Sequence, residues 1–400
     1  MFISTFNLCK SDSSTLFNHL QETQLSLSSL SQQPRIDMLL PSKERFTPDN
    51  AGAIAGVVHD LALASTTPEA FHIYGTKVEN AFSDVNFTGL TPRHSLFHGQ
   101  NIRFANAYLN HVANSTLPDI VEVHSRCHVA KYLARKNTKL NVILYLHNDP
   151  RTMKGAKTRA ERRFLLDHMA AVICISDYIR ECFLDGIGDN HPKAHIVGVA
   201  RNGAHRWIKK KPKKEPFILL AGRMVPEKGI LECAEAIARV LPDFPEWRLI
   251  IAGARRFEKT RRGSYEDKIA TAIAPLGSRA EMLGFVPIQE MRDLQARASI
   301  AACPSLWNEP ISKVVLESLA AGCALLTTRR GGIPEVADGR AILVDEPSVT
   351  TFSTAFKTLL DNDNMRKKLQ DKAWKDFPFT AKQMAKDADS LRLLALLRES

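Results

Sequence analysis

Two cations lie five residues apart in the segment FILLAGRMVPEKG, residues 217–229. An apolar run, Phe217–Leu220, precedes a glycine, and Arg223 and Lys228 follow on a loop that leads into a helical pattern. A guanidinium offers a planar fork of donors and an ammonium offers a compact charge, so the two together suit a diphosphate group. They could neutralise a leaving pyrophosphate without a metal ion. The alternative is a helix-capping loop that carries two solvated charges.

Two glutamates, Glu309 and Glu317, are eight residues apart in WNEPISKVVLESLAAGCALL, residues 307–326. The apolar run Ile300–Cys303 predicts a strand before them, which places Glu309 in the following loop and Glu317 one to two turns into the next helix. Both carboxylates can then face the same sheet edge, where they suit the hydroxyl groups of a sugar. Because the helix is mostly apolar, Glu317 would be costly there without hydrogen-bond partners. The alternative is a surface helix with two ordinary glutamates.

A third segment, TRRGGIPEVADG at residues 328–339, follows a predicted strand. Its successive glycines, Gly331 and Gly332, let the backbone turn sharply or approach a ligand closely. Pro334 and Glu335 then begin a short helix whose amide groups point toward an anion. Glycine pairs after strands are common, so this loop indicates a phosphate site only together with the two segments above.

Apolar strand patterns alternate with helical patterns on both sides of a basic segment, KKKPKKEP. This alternation is typical of parallel sheets wrapped by crossover helices. The predicted class is α/β, with two doubly wound Rossmann-like domains that face a central cleft, where open α/β sheets bind ligands. The predicted boundaries are an extension of uncertain order at 1–34, an N-terminal domain at 35–208, a solvated linker at 209–216, a C-terminal domain at 217–375 and terminal helices at 376–400.

The composition is that of a globular protein, with 44% apolar and 24% charged residues, which excludes disordered and fibrous classes. Lysine and arginine exceed aspartate and glutamate by 54 to 43, and the net charge of +11 suits an anionic partner. The chain lacks a run of about 18 apolar residues and a signal-peptide pattern, which predicts a cytoplasmic protein. Seven scattered cysteines without a C-x-x-C pair argue against disulfides and zinc and predict buried thiols.

The three segments, in this order and spacing, resemble the C-terminal half of glycosyltransferase family 4, retaining enzymes of GT-B architecture among the glycosyl transferases group 1. The resemblance implies that Arg223 and Lys228 hold the donor diphosphate. It implies that Glu309 contacts the transferred sugar and that Glu317 contacts the ribose, with the loop of Gly332 close by. The donor would be a nucleotide-diphospho-sugar, with no cofactor and no metal.

The N-terminal half resembles the family's acceptor domain. LPSKERFTPDNAGAIAGVVHDLA at 40–62 resembles its first strand and small-residue loop, with Gly52 near the usual glycine. The segment VILYLHND places His147 where the family keeps a histidine beside the donor sugar, and His124 is the alternative.

One stretch departs from the family pattern. Between the paired glutamates the family carries a Gly-Phe-Gly-like sequence whose backbone touches the sugar, and this chain has Pro310–Lys313 instead. The backbone amides of Ile311 and Ser312 are expected to bind the donor in its place.

The resemblance implies transfer of a hexose-type sugar to an acceptor hydroxyl, with retention at the anomeric carbon. The leaving phosphate takes the acceptor proton, while Arg223 and Lys228 stabilise its charge, and His147 and Glu309 complete the predicted catalytic set. The acceptor would be a glycan or a lipid-linked molecule in surface polysaccharide, lipopolysaccharide or glycolipid assembly. The family's last helices cross back to the N-terminal domain, and the apolar stretch 391–397 is expected to pack there and not to enter a membrane.

Three basic clusters occur: Arg151, Lys154, Lys157, Arg159, Arg162 and Arg163; residues 209–214; and residues 255–262. Clusters of this kind are mostly solvated faces. Few aromatic residues lie among them, so no nucleic-acid partner is expected. The first cluster carries a hypothesis of peripheral docking on the anionic inner face of the membrane, at about 1 kcal/mol per cation.

Three alternatives differ in kind. A metal-dependent GT-A transferase would use an Asp-x-Asp pair, and Asp361 and Asp363 form one, but it lies between two helical patterns and is typical of a polar helix end. A dehydrogenase would need G-x-G-x-x-G after a strand, which the sequence lacks. An inactive or non-enzymatic anion-binding protein of the same fold stays open.

Overall fold

The computed structural model describes residues 27–30, 32–48, 51–95, 97–113, 115–255 and 263–397. The chain divides into two compact units. The first comprises residues up to Arg201 together with those from Ala381 onward, and the second is Asn202–Thr380. Each unit has a parallel sheet and helices, which confirms the predicted α/β class with two doubly wound domains.

The sheet of the first unit has seven strands, all paired in parallel, in the order β3-β2-β1-β4-β5-β6-β7. Ile36 pairs with Phe71 on one side and with Ile120 on the other, which sets the register of the central strand. The strands are β1 Ile36–Leu39, β2 Phe71–Thr76, β3 Phe87–Leu90, β4 Ile120–His124, β5 Val142–Leu146, β6 Ala171–Cys174 and β7 Val197–Val199.

Six helices complete the first unit among its described residues. They are α1 Ala53–Ala64, α2 Gln100–Val112, α3 Cys127–Lys136, α4 Arg159–His168, α5 Asp177–Leu184 and, from the end of the chain, α13 Ala381–Leu397. The central strands are buried on both faces, as expected for a parallel sheet covered by helices.

The sheet of the second unit has six parallel strands in the order β10-β9-β8-β11-β12-β13. The strands are β8 Glu215–Ala221, β9 Arg248–Ala252, β10 Ala280–Gly284, β11 Ala298–Cys303, β12 Ala324–Thr328 and β13 Ala341–Val344. The helices are α6 Ile230–Val240, α7 Ser264–Ile273, α8 Ile288–Arg297, α9 Lys313–Ala320, α10 Ile333–Ala337, α11 Val349–Asp361 and α12 Asp363–Lys375.

Strand β8 shows why an uninterrupted apolar run is needed here. Ile218 and Leu220 belong to one apolar cluster, whereas Phe217, Leu219 and Ala221 belong to another. Successive side chains of a strand point to opposite faces, so a strand covered on both faces must be apolar at every position.

The unit boundaries differ from the predicted numbers for physical reasons. The Ala204 amide donates to the Phe379 carbonyl, so the segment from Asn202 belongs to the second unit. Lys214, expected in a solvated linker, is half-buried, and its ammonium donates to the carbonyls of Gln295, Ala296 and Ala321.

Described residues near both ends of the chain pack into the core of the first unit. Leu27, placed by the sequence in an extension of uncertain order, is fully buried in the first unit's core. Residues 1–26 and 31 lie outside the described residues. The described part of the chain contains no helix long and apolar enough to cross a membrane. Leu391 and Leu394 of α13 pack in the first unit's core.

Six of the seven predicted thiols lie within the described residues. The cysteines at 127, 174, 182, 233, 303 and 323 are free and buried, and Cys9 lies outside the described residues.

Candidate functional site

The second sheet reverses its direction of growth between β8 and β11. Its order follows the Rossmann pattern 3-2-1-4-5-6, so the chain leaves these neighbouring strands toward opposite sides. A crevice forms at the carboxyl ends of such a strand pair, and it is where open α/β sheets bind ligands. The loops 222–229 and 304–312 follow β8 and β11 and therefore line this position.

The loop after β8 presents the two predicted cations differently. Arg223 is exposed and forms no ion pair with any described residue. Lys228 ends a short 3₁₀ turn, Pro226–Lys228, and is half-buried. Gly229 follows at φ +66°, and a β-carbon there would overlap the carbonyl oxygen of Pro304. Only glycine fits this position, which sets where the loop turns into α6.

The loop after β11 carries Glu309, which is buried and pairs with the Lys228 ammonium. The Ser305 hydroxyl donates to the same carboxylate oxygen, Oε1. The Lys228 ammonium also lies 5.7 Å from the ring centroid of Trp307, within cation–π range. The structure thus brings together Lys228 and Glu309, as the sequence predicts, and adds Ser305 and Trp307, which the sequence interpretation did not single out.

The glycine loop after β12 holds the backbone carbonyl of Glu309 in place. The Gly332 amide donates to the Glu309 carbonyl at 2.7 Å. Gly331 has φ +56°, and a β-carbon there would overlap the same carbonyl oxygen. The Thr328 hydroxyl donates to the Ser305 carbonyl at 2.6 Å. The three predicted loops therefore meet at one carboxyl edge, and Gly332 acts on the Glu309 backbone in the structure.

The remaining predicted donor residues lie at the start of α9. Ile311 and Ser312 are buried, and the Ser312 hydroxyl lies 3.3 Å from the Cys303 sulfur. Burial, reinforced by the nearby Glu309 carboxylate, raises the pKa of Cys303 to about 11, so the thiol beneath the site is neutral. Glu317, one turn into α9, is half-buried and accepts a hydrogen bond from Gln295 of α8 at 3.3 Å.

The two candidate histidines of the first unit are neighbours. Nδ1 of His124 lies 2.9 Å from Nε2 of His147, and the Tyr145 ring stacks against both imidazoles. His124 is fully buried, whereas His147 is 6% exposed. Of the two, His147 is therefore the one nearer to solvent.

A buried ionic network lies behind His124. Its Nε2 is 2.9 Å from Glu122, and the Arg392 guanidinium of α13 binds that carboxylate through two nitrogens at 2.8 and 2.9 Å. Arg392 also donates to Asp389, which accepts from Ser65 at 2.7 Å. Burial by itself would raise the pKa of Glu122, but Arg392 and His124 outweigh burial and lower this pKa to about 2. Glu122 is thus an ionised carboxylate inside the core.

Gly52 is the N-cap of α1, and a carboxylate of this chain lies beside it. A β-carbon on Gly52 would overlap the Glu44 carboxylate, which receives a hydrogen bond from the Ala55 amide. Burial raises the pKa of Glu44, while this hydrogen bond and the charge of Arg126 lower it by less. The helix start therefore holds the chain's own carboxylate, and a donor phosphate would have to displace it.

The first basic cluster is smaller than the sequence suggests. Arg162 is buried and donates to the carbonyls of Phe183, Ala156 and Asp185. Arg151 pairs with Asp149 and Asp185. Lys154, Lys157, Arg159 and Arg163 remain exposed. Of the third cluster, only Arg255 lies within the described residues.

The Asp-x-Asp pair ends one helix and begins the next, as the sequence predicts. Asp361 pairs with Lys357, and Asp363 pairs with Arg366 and Lys367. Both carboxylates thus bind cations of their own helices.

Comparisons with known proteins match the second unit by a family model and the whole fold by solved structures. The family model for glycosyl transferases group 1 matches residues 202–376. A putative glycosyltransferase of Bacillus subtilis, YtcC, is 27% identical over 233 residues, which are 54% of this chain and 57% of that protein. The lipopolysaccharide 1,2-N-acetylglucosaminetransferase of Salmonella typhimurium is 23% identical over 233 residues, 55% of this chain and 57% of that protein. The chain thus spans a little over half the length of these relatives.

The solved structure of HepE from Anabaena, in complex with UDP and glucose, superposes with a TM-score of 0.66. The identity is 15%, and the match covers 92% of this chain and 98% of that one. The fold is therefore GT-B, with two Rossmann-like domains. Over residues 202–376 the second unit is similar to the glycosyl transferases group 1.

Proposed function

We propose that this protein transfers a hexose-type sugar from a nucleotide-diphospho-sugar to an acceptor hydroxyl, with retention and without a metal ion. The observation that carries this proposal is the meeting of three loops at the switch point of the second sheet, with an exposed Arg223 on the same loop as Lys228 of the Lys228–Glu309 pair. Ligands of open α/β sheets bind at this position.

The charges suit a donor that brings both an anion and hydroxyl groups. Arg223 is available to a phosphate because it has no ionic partner among the described residues. Lys228 can share its charge between Glu309 and a second phosphate, since an ammonium has three donors. Glu309, released in part from Lys228, then accepts a hydrogen bond from the sugar. Glu317 is assigned to the ribose, and the amides of Ile311 and Ser312 to the sugar.

In the reaction, the bond between the anomeric carbon and the β-phosphate oxygen breaks. The acceptor oxygen bonds to the anomeric carbon from the same face, and its proton passes to the leaving phosphate. Arg223 and Lys228 stabilise the charge that develops on this phosphate, an effect that preorganised cations exert most strongly in the transition state. His147 is assigned a hydrogen bond to the transferred sugar.

The lipopolysaccharide relative supports an acceptor that is a glycan or a lipid-linked molecule of a surface polysaccharide, lipopolysaccharide or glycolipid. A cytoplasmic location, and contact of Lys154, Lys157, Arg159 and Arg163 with an anionic membrane, are parts of the same proposal.

The test begins with binding, because the donor must be identified first. Uridine, guanosine and adenosine diphosphate sugars are compared by thermal shift, and a ligand at 100 times its Kd should add about 2.7 kcal/mol of stability. Trp307 is 37% exposed and close to Lys228, so its fluorescence should change with the same ligand. If the fluorescence change arises from Trp307, a Trp307→Phe variant should lack it.

The variants Arg223→Gln and Lys228→Gln should each lower turnover of that donor by about 10²–10³-fold, or about 2–4 kcal/mol. Arg239→Gln is the matched control, since Arg239 is exposed on α6 of the same unit. Absence of binding by every nucleotide-sugar, or equal turnover in all three variants, would contradict the proposal. Binding without transfer would leave only the anion-binding alternative.

A further inference from the structure

The first unit contains a cavity of about 330 Å³ between the loop that follows β3 and helix α2. Its walls come from residues 90–95 on one side and from residues 103–111 on the other. The volume is at the lower end of the range for small-molecule sites. All its lining residues belong to the first unit, whereas Arg223 and Lys228 belong to the second.

The walls of this cavity are basic. Two arginines and two histidines line it, Arg93, His94, Arg103 and His111, and none of the lining residues in the described part of the chain is acidic. Arg93 is exposed and forms no ion pair with a described residue. Four nitrogen-bearing side chains without a carboxylate favour an anionic ligand.

Nε of Arg103 is buried and has no hydrogen-bond partner among the residues that the structure describes. A buried N–H group without a partner costs about 1–3 kcal/mol, more when the group is charged. Because Nε itself is closed to solvent, a ligand in the cavity supplies its acceptor only when the Arg103 side chain turns toward it.

A neutral side chain adds a second, oriented donor. The Tyr132 hydroxyl donates to Oδ1 of Asn106 at 2.6 Å. Because this hydrogen bond occupies the carbonyl end of the amide, the NH₂ end of Asn106 is the part that remains to bind a ligand. Thr91, at the carboxyl end of β3, contributes a hydroxyl to the same wall.

We propose that this cavity binds the phosphate group of a phosphate ester. Guanidinium groups match the oxygens of a phosphate in pairs, and Arg93 and Arg103 provide two of them. The volume accommodates a phosphate with a small attached group. Binding at this cavity does not depend on sugar transfer. The further statement that the phosphate belongs to the acceptor rests on the function proposed above.

The phosphate ester has two sources, a soluble sugar phosphate or a lipid headgroup. Phe97, three residues after His94, is 92% exposed. An exposed aromatic ring beside cations is common where proteins meet membrane interfaces. The two sources are therefore separate arms of one experiment.

The first arm titrates the full chain with inorganic phosphate, glucose 6-phosphate and glucose by isothermal titration calorimetry. The second measures co-sedimentation with phosphatidylglycerol vesicles and with phosphatidylcholine vesicles. Inorganic phosphate, glucose 6-phosphate or anionic phosphatidylglycerol should bind in at least one arm. Glucose, which has no phosphate, and phosphatidylcholine, whose choline cation balances its phosphate, should not bind.

Arg93→Gln and Arg103→Gln should each weaken that binding at least tenfold, whereas Lys139→Gln, which removes an exposed charge elsewhere in the first unit, should change it less than twofold. Far-UV circular dichroism shows whether Arg103→Gln folds, and Arg93, being exposed, provides the test if it does not. Failure of every phosphorylated probe, or equal losses in all variants, overturns the proposal. Nucleotide-sugar binding measured through Trp307 should be unchanged in Arg93→Gln, which separates this proposal from the proposed transfer.

Discussion

The two units share a doubly wound sheet but use their charged residues in opposite ways. At the carboxyl edge of the second sheet, Arg223 is exposed and Lys228 shares a half-buried pair with Glu309. In the first unit, Glu122 and Arg392 are fully buried and bind each other through two hydrogen bonds. The first arrangement can exchange a protein partner for a ligand, and the second cannot without opening the core.

This difference shows how a ligand-binding site can be distinguished from a structural ion pair within one fold. A buried ion pair binds little besides itself, because removing either partner leaves an uncompensated charge. A half-buried pair next to an exposed cation has solvent on one side, so a ligand can replace water there. Four changes to the molecule test this contrast, and their expected effects on stability decrease from the first to the last.

The largest effect is expected for Arg392→Met. It leaves Glu122 in the core without its cation, which should destabilise the first unit by about 3–5 kcal/mol. All four tryptophans, at 207, 247, 307 and 374, lie in the second unit. Urea unfolding followed by far-UV circular dichroism should therefore show the loss, while the tryptophan fluorescence transition should change less.

Two further variants complete this prediction. Arg45→Met removes an exposed arginine of the same unit and should be nearly neutral. The double variant Glu122→Met/Arg392→Met should recover part of the lost stability, since Glu122 no longer lacks its cation and Asp389 keeps its hydrogen bond from Ser65. An Arg392→Met protein as stable as wild type would show that the pair does not support the first unit.

A smaller effect is expected for Gly229→Ala. Alanine at φ +66° costs about 1–2 kcal/mol in strain, and displacing the Pro304 carbonyl adds about 1–3 kcal/mol. Gly339 has φ +69° and open space around it, so Gly339→Ala should show the strain alone. Unfolding followed by tryptophan fluorescence measures both, and equal losses would mean that the Pro304 contact is unimportant.

The third prediction concerns the loss of stability at acid pH. Because the folded pKa of Glu122 is about 2, its contribution to stability is complete above the unfolded value of about 4.3. It should be lost as pH falls from about 4.3 toward 2. Chemical unfolding at several pH values, followed by circular dichroism, should show this slope in wild type and a shallower one in Glu122→Gln.

The smallest effect is expected for Glu44, whose pKa is raised mainly by burial. Here the native state holds the proton more tightly, so this group's contribution to stability falls as pH rises past its usual value. Glu44→Gln should therefore gain stability relative to wild type at pH 7 and not at pH 4. The same urea titrations measure it, and a gain at both pH values would assign the effect to packing.

Local patterns predicted much of this molecule. The apolar run Ile300–Cys303 predicts a strand before Glu309, and the structure has one at Ala298–Cys303. Strand Phe87–Leu90 has no comparable signal, since it contains a glycine and buries only Leu90. The convergence of Arg223, Lys228 and Glu309 on one sheet edge followed from the order of strands and loops.

Other features have no local signal. Glu122 and Arg392 are 270 positions apart, so only the packing of α13 reveals their pairing. The carboxylate of Glu44 over Gly52 likewise depends on how the loop after β1 folds back. Pairings of this kind are set by tertiary structure and not by the spacing of residues along the chain.

The place of α13 in the chain has a consequence for biosynthesis. Residues 202–380, the whole second unit, emerge from the ribosome before Arg392 does. At about 5–20 residues per second, this delay is roughly 10–35 s. During that interval the nascent first unit holds Glu122 without its cation.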